Sequence, residues 1–125
     1  MAAIAEKALK EVTYHLRWSS EWVIRLGDGT DESHGRMLKA IDELWRYTGE
    51  LFVAADYEKE AGFDVSVLKD EWQKKVIEVF AEALLPVPEN IYMQSGGKEG
   101  SHTENMGFIL AELQSVHRTY PGASW

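Results

Sequence analysis

The stretch from Ala2 to Leu26 contains neither proline nor glycine and is rich in residues that favour the α-helix. Its apolar residues recur at helical spacing on two rows. One row contains Ile4, Ala8, Trp18 and Trp22, and the other contains Leu9, Val12, Leu16, Val23 and Leu26. A helix that is apolar on two rows is typical of one packed against more than one neighbour. The sequence therefore predicts a long first helix buried inside a helical fold.

Glycine and proline divide the rest of the chain into three further helical segments. The segments are a second helix capped by Thr30 or Asp31 with an apolar face that runs to Ala55, a third capped by Asp64 or Ser66 and ended by Pro86 and Pro88, and a fourth capped by Thr103 and ended by Pro121. The turn after Leu26 is short enough for an antiparallel helical hairpin. No strand-like alternation of useful length occurs. We therefore predict an all-α fold and a single helical domain over residues 1–125.

The charge and the cysteine content exclude several classes of function. Lysine and arginine number 13 and aspartate and glutamate 21, which gives a net charge of −8. Such a surface lacks the basic patch that would bind a nucleic acid or an anionic membrane. No uncharged apolar run is long enough to span a membrane. The absence of cysteine excludes disulfides, thiolate metal sites and cysteine nucleophiles. We expect a cytoplasmic protein that binds neither nucleic acid nor membranes.

The many carboxylates of a helical bundle raise the possibility of a di-iron centre. Such a centre takes a Glu-x-x-His pair from each of two helices, because side chains three residues apart project to one side. No glutamate in the predicted helices has a histidine at that spacing, and the pair Glu99 and His102 falls in a glycine-rich stretch. We therefore predict no catalytic residue and no metal site. Glu11 and His15, at i and i+4, remain weak candidates for a single metal contact.

Two polar residues of the predicted helices have more than one interpretation. His15 is either a ligand or proton carrier or, as we favour, a core histidine that is hydrogen-bonded to Glu11 or to a facing side chain. Glu50 shares a second row of the second helix with Glu43 and Tyr47. That row faces solvent, a polar interior or a partner chain.

Four stretches of the chain carry a resemblance to a known family. They are residues 8–19 (ALKEVTYHLRWS), 25–31 (RLGDGTD), 44–52 (LWRYTGELF) and 96–104 (GGKEGSHTE). Residues 113–114 and 121–125 are also similar in sequence to the end of the family. In these stretches and their spacing the chain resembles the PaaC family, the C subunits of bacterial ring-1,2-phenylacetyl-CoA epoxidases. The resemblance covers nearly the whole chain. Family subunits are much longer, and the chain resembles only their C-terminal half.

The resemblance implies a ferritin-like helical bundle and a structural role without catalysis. In that multicomponent oxygenase a related A subunit holds the di-iron centre, and a separate reductase delivers electrons from NADPH. The C subunit pairs with the A subunit and supports it. This chain would then bind no cofactor, and it reads Glu11-x-x-Tyr14 where a catalytic relative would carry Glu-x-x-His.

The segment from Gln94 to Ser101 has three glycines and is predicted to be an ordered loop that packs near the first or second helix. It lacks the spacing of a Walker phosphate loop. We favour a structural turn that leads into the cap at Thr103, and the alternative is a part of the partner surface or of the coenzyme A entrance.

The resemblance and the two-row first helix together give the expected partner or structural residues. They are Trp18, Trp22, Trp45, Glu50, Gly96, Gly97, Lys98, His102 and Glu104. Two other functions compete with the structural subunit: a free-standing ferritin-like metalloprotein completed by self-association, and an acidic helical interaction domain unrelated to aromatic catabolism. Because half a subunit leaves apolar helices uncovered, we expect the isolated chain to form a homo-oligomer.

Overall fold

A computed structural model describes residues 2–124, so Met1 and Trp125 lie outside the described residues. Within that range the chain has no strand, and the all-α prediction is confirmed. The α-helices are α1 (Ala2–Gly27), α2 (Asp31–Leu44), α3 (Asp56–Glu60), α4 (Lys69–Glu82), α5 (Asn105–Leu113) and α6 (Ser115–Thr119). Short 3₁₀ helices lie at Trp45–Tyr47, Gly49–Phe52, Val65–Leu68 and Gly97–Glu99. The chain forms two compact units, Met1–Gln94 and Ser95–Trp125, and the single domain stays a prediction.

The turn between α1 and α2 is built as the sequence predicts. Thr30 caps α2, because its Oγ1 accepts the amide of Ser33 at 3.2 Å while the Ser33 hydroxyl accepts the amide of Thr30 at 3.0 Å. His34, in the first turn of α2, donates from Nδ1 to the carbonyl oxygen of Gly27 at 2.7 Å. Because that carbonyl is at the end of α1, the hydrogen bond holds the end of α1 to the start of α2.

Helix α2 ends at Leu44, so the predicted continuation to Ala55 is wrong. The chain continues through two 3₁₀ helices instead. The carbonyl of Arg46 accepts the amide of Gln94 at 2.8 Å, which occupies the oxygen that a longer helix would have bonded to residue 50. Gly49 lies against Met93, where a Cβ atom would come within 2.8 Å of the Met93 Cγ. The irregular segment 87–94, which bends at Asn90, therefore supplies a hydrogen bond in place of the helical one that the apolar pattern predicted.

Asp64 caps the 3₁₀ helix Val65–Leu68 that leads into α4, and α4 has a cap of its own at its C-terminal end. Asp64 Oδ1 accepts the Ser66 hydroxyl at 2.6 Å and the Ser66 amide at 3.0 Å, and these bonds lower the pKa of Asp64. At the other end Leu84 has φ 55°, its amide bonds the carbonyl of Ala81, and the Leu85 amide bonds the carbonyl of Phe80. This is the Schellman arrangement with leucine in the usual glycine position. The helix is thus ended by its own cap, ahead of the prolines that we predicted would end it.

The tightest packing in the first unit is where α1 meets α4. The buried apolar residues of the described chain are Val79, Ala83 and Leu85, all at the end of α4. Gly27, the buried residue of α1, lies so close to them that a Cβ atom would be 2.4 Å from the Ala83 carbonyl oxygen. Gly27 still belongs to the helix. The predicted stop is at the right residue, but glycine is needed here for close approach.

In the second unit, the loop from Gly96 to Ser101 closes on itself. The Gly96 carbonyl accepts the amides of Glu99 at 3.0 Å and Ser101 at 2.8 Å, and Gly96 and Gly100 have φ values of 99° and 92°. The predicted turn is therefore present, whereas its packing against α1 or α2 stays a prediction. The predicted cap at Thr103 is wrong: Glu104 precedes α5 and makes no side-chain cap bond.

The single last helix that we predicted is divided. Its first part, α5, ends at Leu113, and α6 begins at Ser115 after one residue, Gln114, with φ −96° and ψ −1°. The Ser115 hydroxyl donates to the carbonyl of Glu112 at 2.9 Å, and this local bond competes with regular helical pairing.

We expect Gly27→Ala to lower the free energy of unfolding by about 2 kcal/mol or more, because the added methyl group meets a backbone oxygen that cannot move aside. Gly35→Ala is the matched control: Gly35 lies within α2 with no atom near its would-be Cβ, and alanine there should stabilise by about 0.5–1 kcal/mol. Urea unfolding followed by circular dichroism measures both. Equal effects of the two substitutions would contradict the close contact.

We also expect Gly96→Ala to cost about 1 kcal/mol or more, because its backbone has positive φ and its Cβ would lie 3.0 Å from the Ser101 Cβ. Gly97→Ala should have a smaller effect, since Gly97 belongs to a 3₁₀ helix and does not have positive φ. Thermal melts of the two variants compare them. Matching melting temperatures for wild type and Gly96→Ala would show that the loop conformation is not required.

Candidate functional site

Most of α1 is uncovered. Residues 2–19 are exposed apart from half-buried Ala8, and the closer contacts begin at Ser20. The exposed fractions of Trp18 and Trp22 are 54% and 43%. The prediction of a buried first helix is therefore wrong for this chain, because α2 and α4 cover only the last turns of α1. We call the exposed apolar residues of this helix the α1 surface: Ile4, Leu9, Val12, Leu16, Trp18 and Trp22.

Aromatic and cationic side chains of α1 contact one another along the helix. The rings of Trp18 and Trp22 meet edge to face with centroids 6.2 Å apart, and the Arg25 guanidinium lies 5.7 Å from the Trp22 ring. These contacts limit the side-chain rotamers of both tryptophans in the chain by itself. Binding through side chains that are already ordered costs less conformational entropy. The α1 surface is thus suited to contact another protein chain.

Glu11 and His15 lie among these apolar residues and are both exposed. The His15 ring meets the Tyr14 ring at a centroid distance of 6.1 Å. The interpretation of His15 as a core histidine is therefore wrong. Within residues 2–124 no three histidine, aspartate or glutamate side chains lie together in a group that could hold a metal ion. Glu11 and His15 together offer two ligands at most.

The second feature of the first unit is a cluster of aromatic rings around a cavity. Trp72 of α4 lies 5.8 Å from Trp45 and 5.1 Å from Phe52, and Trp45 lies 5.7 Å from Phe80. Beside three of these rings is a cavity of about 240 Å³, which we call the aromatic cavity. It is lined by Trp45, Thr48, Gly49, Phe52, Lys69, Trp72, Gln73, Val76, Val87, Pro88 and Met93.

Trp45 is predicted from the sequence, whereas the cavity beside it is not. Phe52 and Trp72 occupy positions that helical periodicity assigns to packing faces, so nothing local distinguishes them. The wall formed by residues 87–93 is irregular, with a bend at Asn90, and has no periodic pattern. Gly49 was the available signal, because glycine in the middle of a predicted helix indicates a break or a close approach.

The remaining predicted residues fall into two groups. Glu50, Gly96, Gly97 and Lys98 are half-buried, whereas His102 and Glu104 are exposed. Glu50 belongs to the 3₁₀ helix after α2, so the predicted helical row that joined it to Glu43 is wrong. The structure gathers none of these residues with Glu11 or His15 into a group of possible metal ligands within the part of the chain that it describes.

No helix among residues 2–124 combines the length and the apolar character needed to cross a membrane.

Comparison with known proteins agrees with the resemblance found in the sequence. The family described as phenylacetic acid catabolic protein matches residues 1–125. The chain is also 44% identical over 130 aligned residues to the C subunit of the 1,2-phenylacetyl-CoA epoxidase of Escherichia coli (strain K12). That alignment takes in 100% of this chain and 52% of the relative, so the chain spans about half the length of the curated protein that it matches. The chain belongs to the phenylacetic acid catabolic protein family, whose members have the ferritin-like helical fold.

Proposed function

We propose that this chain is part of a non-catalytic structural subunit of a phenylacetyl-CoA epoxidase in the cytoplasm. The family and the relative from the epoxidase support the pathway and the type of complex. The observation that supports a structural role is the exposed α1 surface. A long helix that presents leucines and tryptophans to solvent is suited to hold another protein.

The physical argument concerns the cost of leaving this surface uncovered. Residues 2–19 of α1 are largely exposed, whereas most of the stability of a protein helix comes from packing its apolar side against other elements. Burying one leucine or tryptophan side chain contributes roughly 1.5–3 kcal/mol. Leu9, Leu16 and Trp18 are each more than half exposed, so a covering chain would gain several such contributions. The α1 surface is therefore our proposed contact with a partner.

The partner that we propose is the A-type catalytic subunit. It would hold the di-iron centre and receive electrons from NADPH through a reductase, and this chain would bind no cofactor. The contribution of this chain would be mechanical: α1 packs against the partner, and the contact of α1 with α4 at Gly27 transmits that support to the rest of the first unit.

One observation favours a second candidate. Glu11 and His15 are exposed and lie on the same side of α1, where a second copy of the chain could bring further ligands to them. The chain would then be a ferritin-like metalloprotein completed by self-association. Iron content separates this candidate from the structural subunit. The family membership argues against the third possibility, an acidic interaction domain outside aromatic catabolism.

The double variant Leu9→Gln/Leu16→Gln should weaken binding to an A-type subunit at least tenfold, which is about 1.4 kcal/mol, because both side chains are exposed and would be buried in the complex. Lys10→Gln/Arg17→Gln, about a quarter turn away around the axis of α1, is the matched control and should change affinity less than about threefold. Co-expression followed by calorimetric titration measures both. Equal losses from the two pairs would exclude the α1 surface as the contact.

The isolated chain should associate with itself, because a second copy is then the available cover for the α1 surface. Sedimentation equilibrium at micromolar concentration should give a mass above 14.2 kDa. Leu9→Gln/Leu16→Gln should shift the distribution toward monomer, and Lys10→Gln/Arg17→Gln should not. A folded monomer that binds no dye specific for apolar surface would contradict this expectation.

We expect no stoichiometric iron after aerobic purification and iron loading, because the chain lacks helical Glu-x-x-His pairs. Elemental analysis measures the content, with Glu11→Gln/His15→Gln as the comparison. About two irons per chain that disappear in this variant would overturn the structural role and favour the self-associated metalloprotein.

A further inference from the structure

We propose that the aromatic cavity binds a small aromatic carboxylate, with the ring against Trp45, Phe52 and Trp72 and the carboxylate at Lys69. Nothing in the proposed pairing with a catalytic subunit requires this site. The inference rests on the walls of the cavity, its size and its charge.

The walls suit a flat aromatic ring. Trp45, Phe52 and Trp72 contact one another and line the cavity together, with ring planes tilted by 39° and 55° between neighbours, so that faces and edges of π systems are both available. Aromatic rings favour such tilted contacts. Val76, Val87 and Met93 complete the apolar lining. An aromatic ligand would therefore contact rings on two sides and aliphatic groups on the others.

The volume limits the ligand to one ring with a short arm. At about 240 Å³, the cavity is below the range of roughly 300–1,000 Å³ found for sites of drug-sized ligands. It is too small for a coenzyme A thioester. A single-ring acid of about ten non-hydrogen atoms is at the appropriate scale, and we expect its dissociation constant to be on the order of 1 mM or lower.

The charge of the cavity selects an anion. Lys69 is the charged residue among the lining side chains, and within the described part of the chain no aspartate or glutamate lines the cavity. Among residues 2–124 Lys69 forms neither an ion pair nor a hydrogen bond through its side chain. It is also the first residue of α4, and the two acidic residues that follow it, Asp70 and Glu71, do not line the cavity. On a chain with a net charge of −8, this local positive group is what would attract a carboxylate and repel an amine.

One neutral polar group of the cavity lining can orient the carboxylate. It is not the Thr48 hydroxyl, which already donates its hydrogen to the Trp45 carbonyl at 2.8 Å and has none left for a carboxylate. Gln73, one helical turn along α4 from Lys69, offers an amide N–H. An acid would thus meet a cation and a neutral donor on one side and rings on the other.

The test uses the whole chain, with phenylacetate as the probe and phenylacetamide as an uncharged ligand of the same shape. Binding is followed through the indole N–H signals in ¹H–¹⁵N NMR spectra, with Trp45→Phe and Trp72→Phe for assignment. We expect phenylacetate to shift the signals of Trp45 and Trp72 saturably and to bind about tenfold more tightly than phenylacetamide. No saturable shift up to about 20 mM, well above the expected dissociation constant, or equal affinity for the two ligands, would overturn the proposal.

Two substitutions test whether the carboxylate binds at Lys69 and whether the ligand occupies the cavity. Lys69→Met should weaken phenylacetate binding about tenfold and leave phenylacetamide binding unchanged, whereas Lys74→Met, which removes a charge from α4 outside the cavity, should leave both within about twofold. Val76→Phe should abolish binding of both ligands by filling the cavity. If Val76→Phe does not fold, the comparison of the two ligands on the wild-type chain still decides. Equal effects of Lys69→Met and Lys74→Met would show that the carboxylate is not at Lys69.

Discussion

The first unit depends on the contact between Gly27 and Ala83. A backbone carbonyl and a methyl group of α4 occupy the space that any side chain at position 27 would need. The hydrogen bond from His34 to the Gly27 carbonyl adds α2 to the same point. Of the buried apolar residues of the described chain, Ala83 and Leu85 lie against Gly27 and Val79 is one helical turn earlier on α4, so the ends of α1 and α4 and the start of α2 share one small core.

A core of this size leaves much apolar surface elsewhere. Helix α1 extends from the contact with leucines and tryptophans exposed, and the rings of Trp18 and Trp22 contact each other. Exposed apolar area of this extent is unfavourable in water. In the structural role that we propose, another chain covers these residues. The local architecture and the proposed structural role thus have one physical origin, the lack of cover over α1.

The aromatic cavity depends on a different set of interactions. Segment 87–94 runs beside the 3₁₀ helices because Gln94 bonds to the Arg46 carbonyl and Met93 packs against Gly49. The Schellman cap at Leu84 turns the chain out of α4 and allows that return. The aromatic rings on α4 and in the segment after α2 are therefore brought together by a backbone hydrogen bond between residues that are far apart in the sequence.

The sequence by itself determined the helical class, the start of α2 at Thr30, the cap at Asp64 and the family, because each depends on local spacing or on stretches of characteristic residues. Tertiary structure decided where α2 ends, which surface of α1 is covered, and the existence of the aromatic cavity. The apolar pattern that predicted a helix to Ala55 could not report the bond from Gln94 to Arg46, which lies 48 residues away in the chain. Periodicity identifies an apolar surface, but whether that surface is buried depends on which other chain segments are present to cover it.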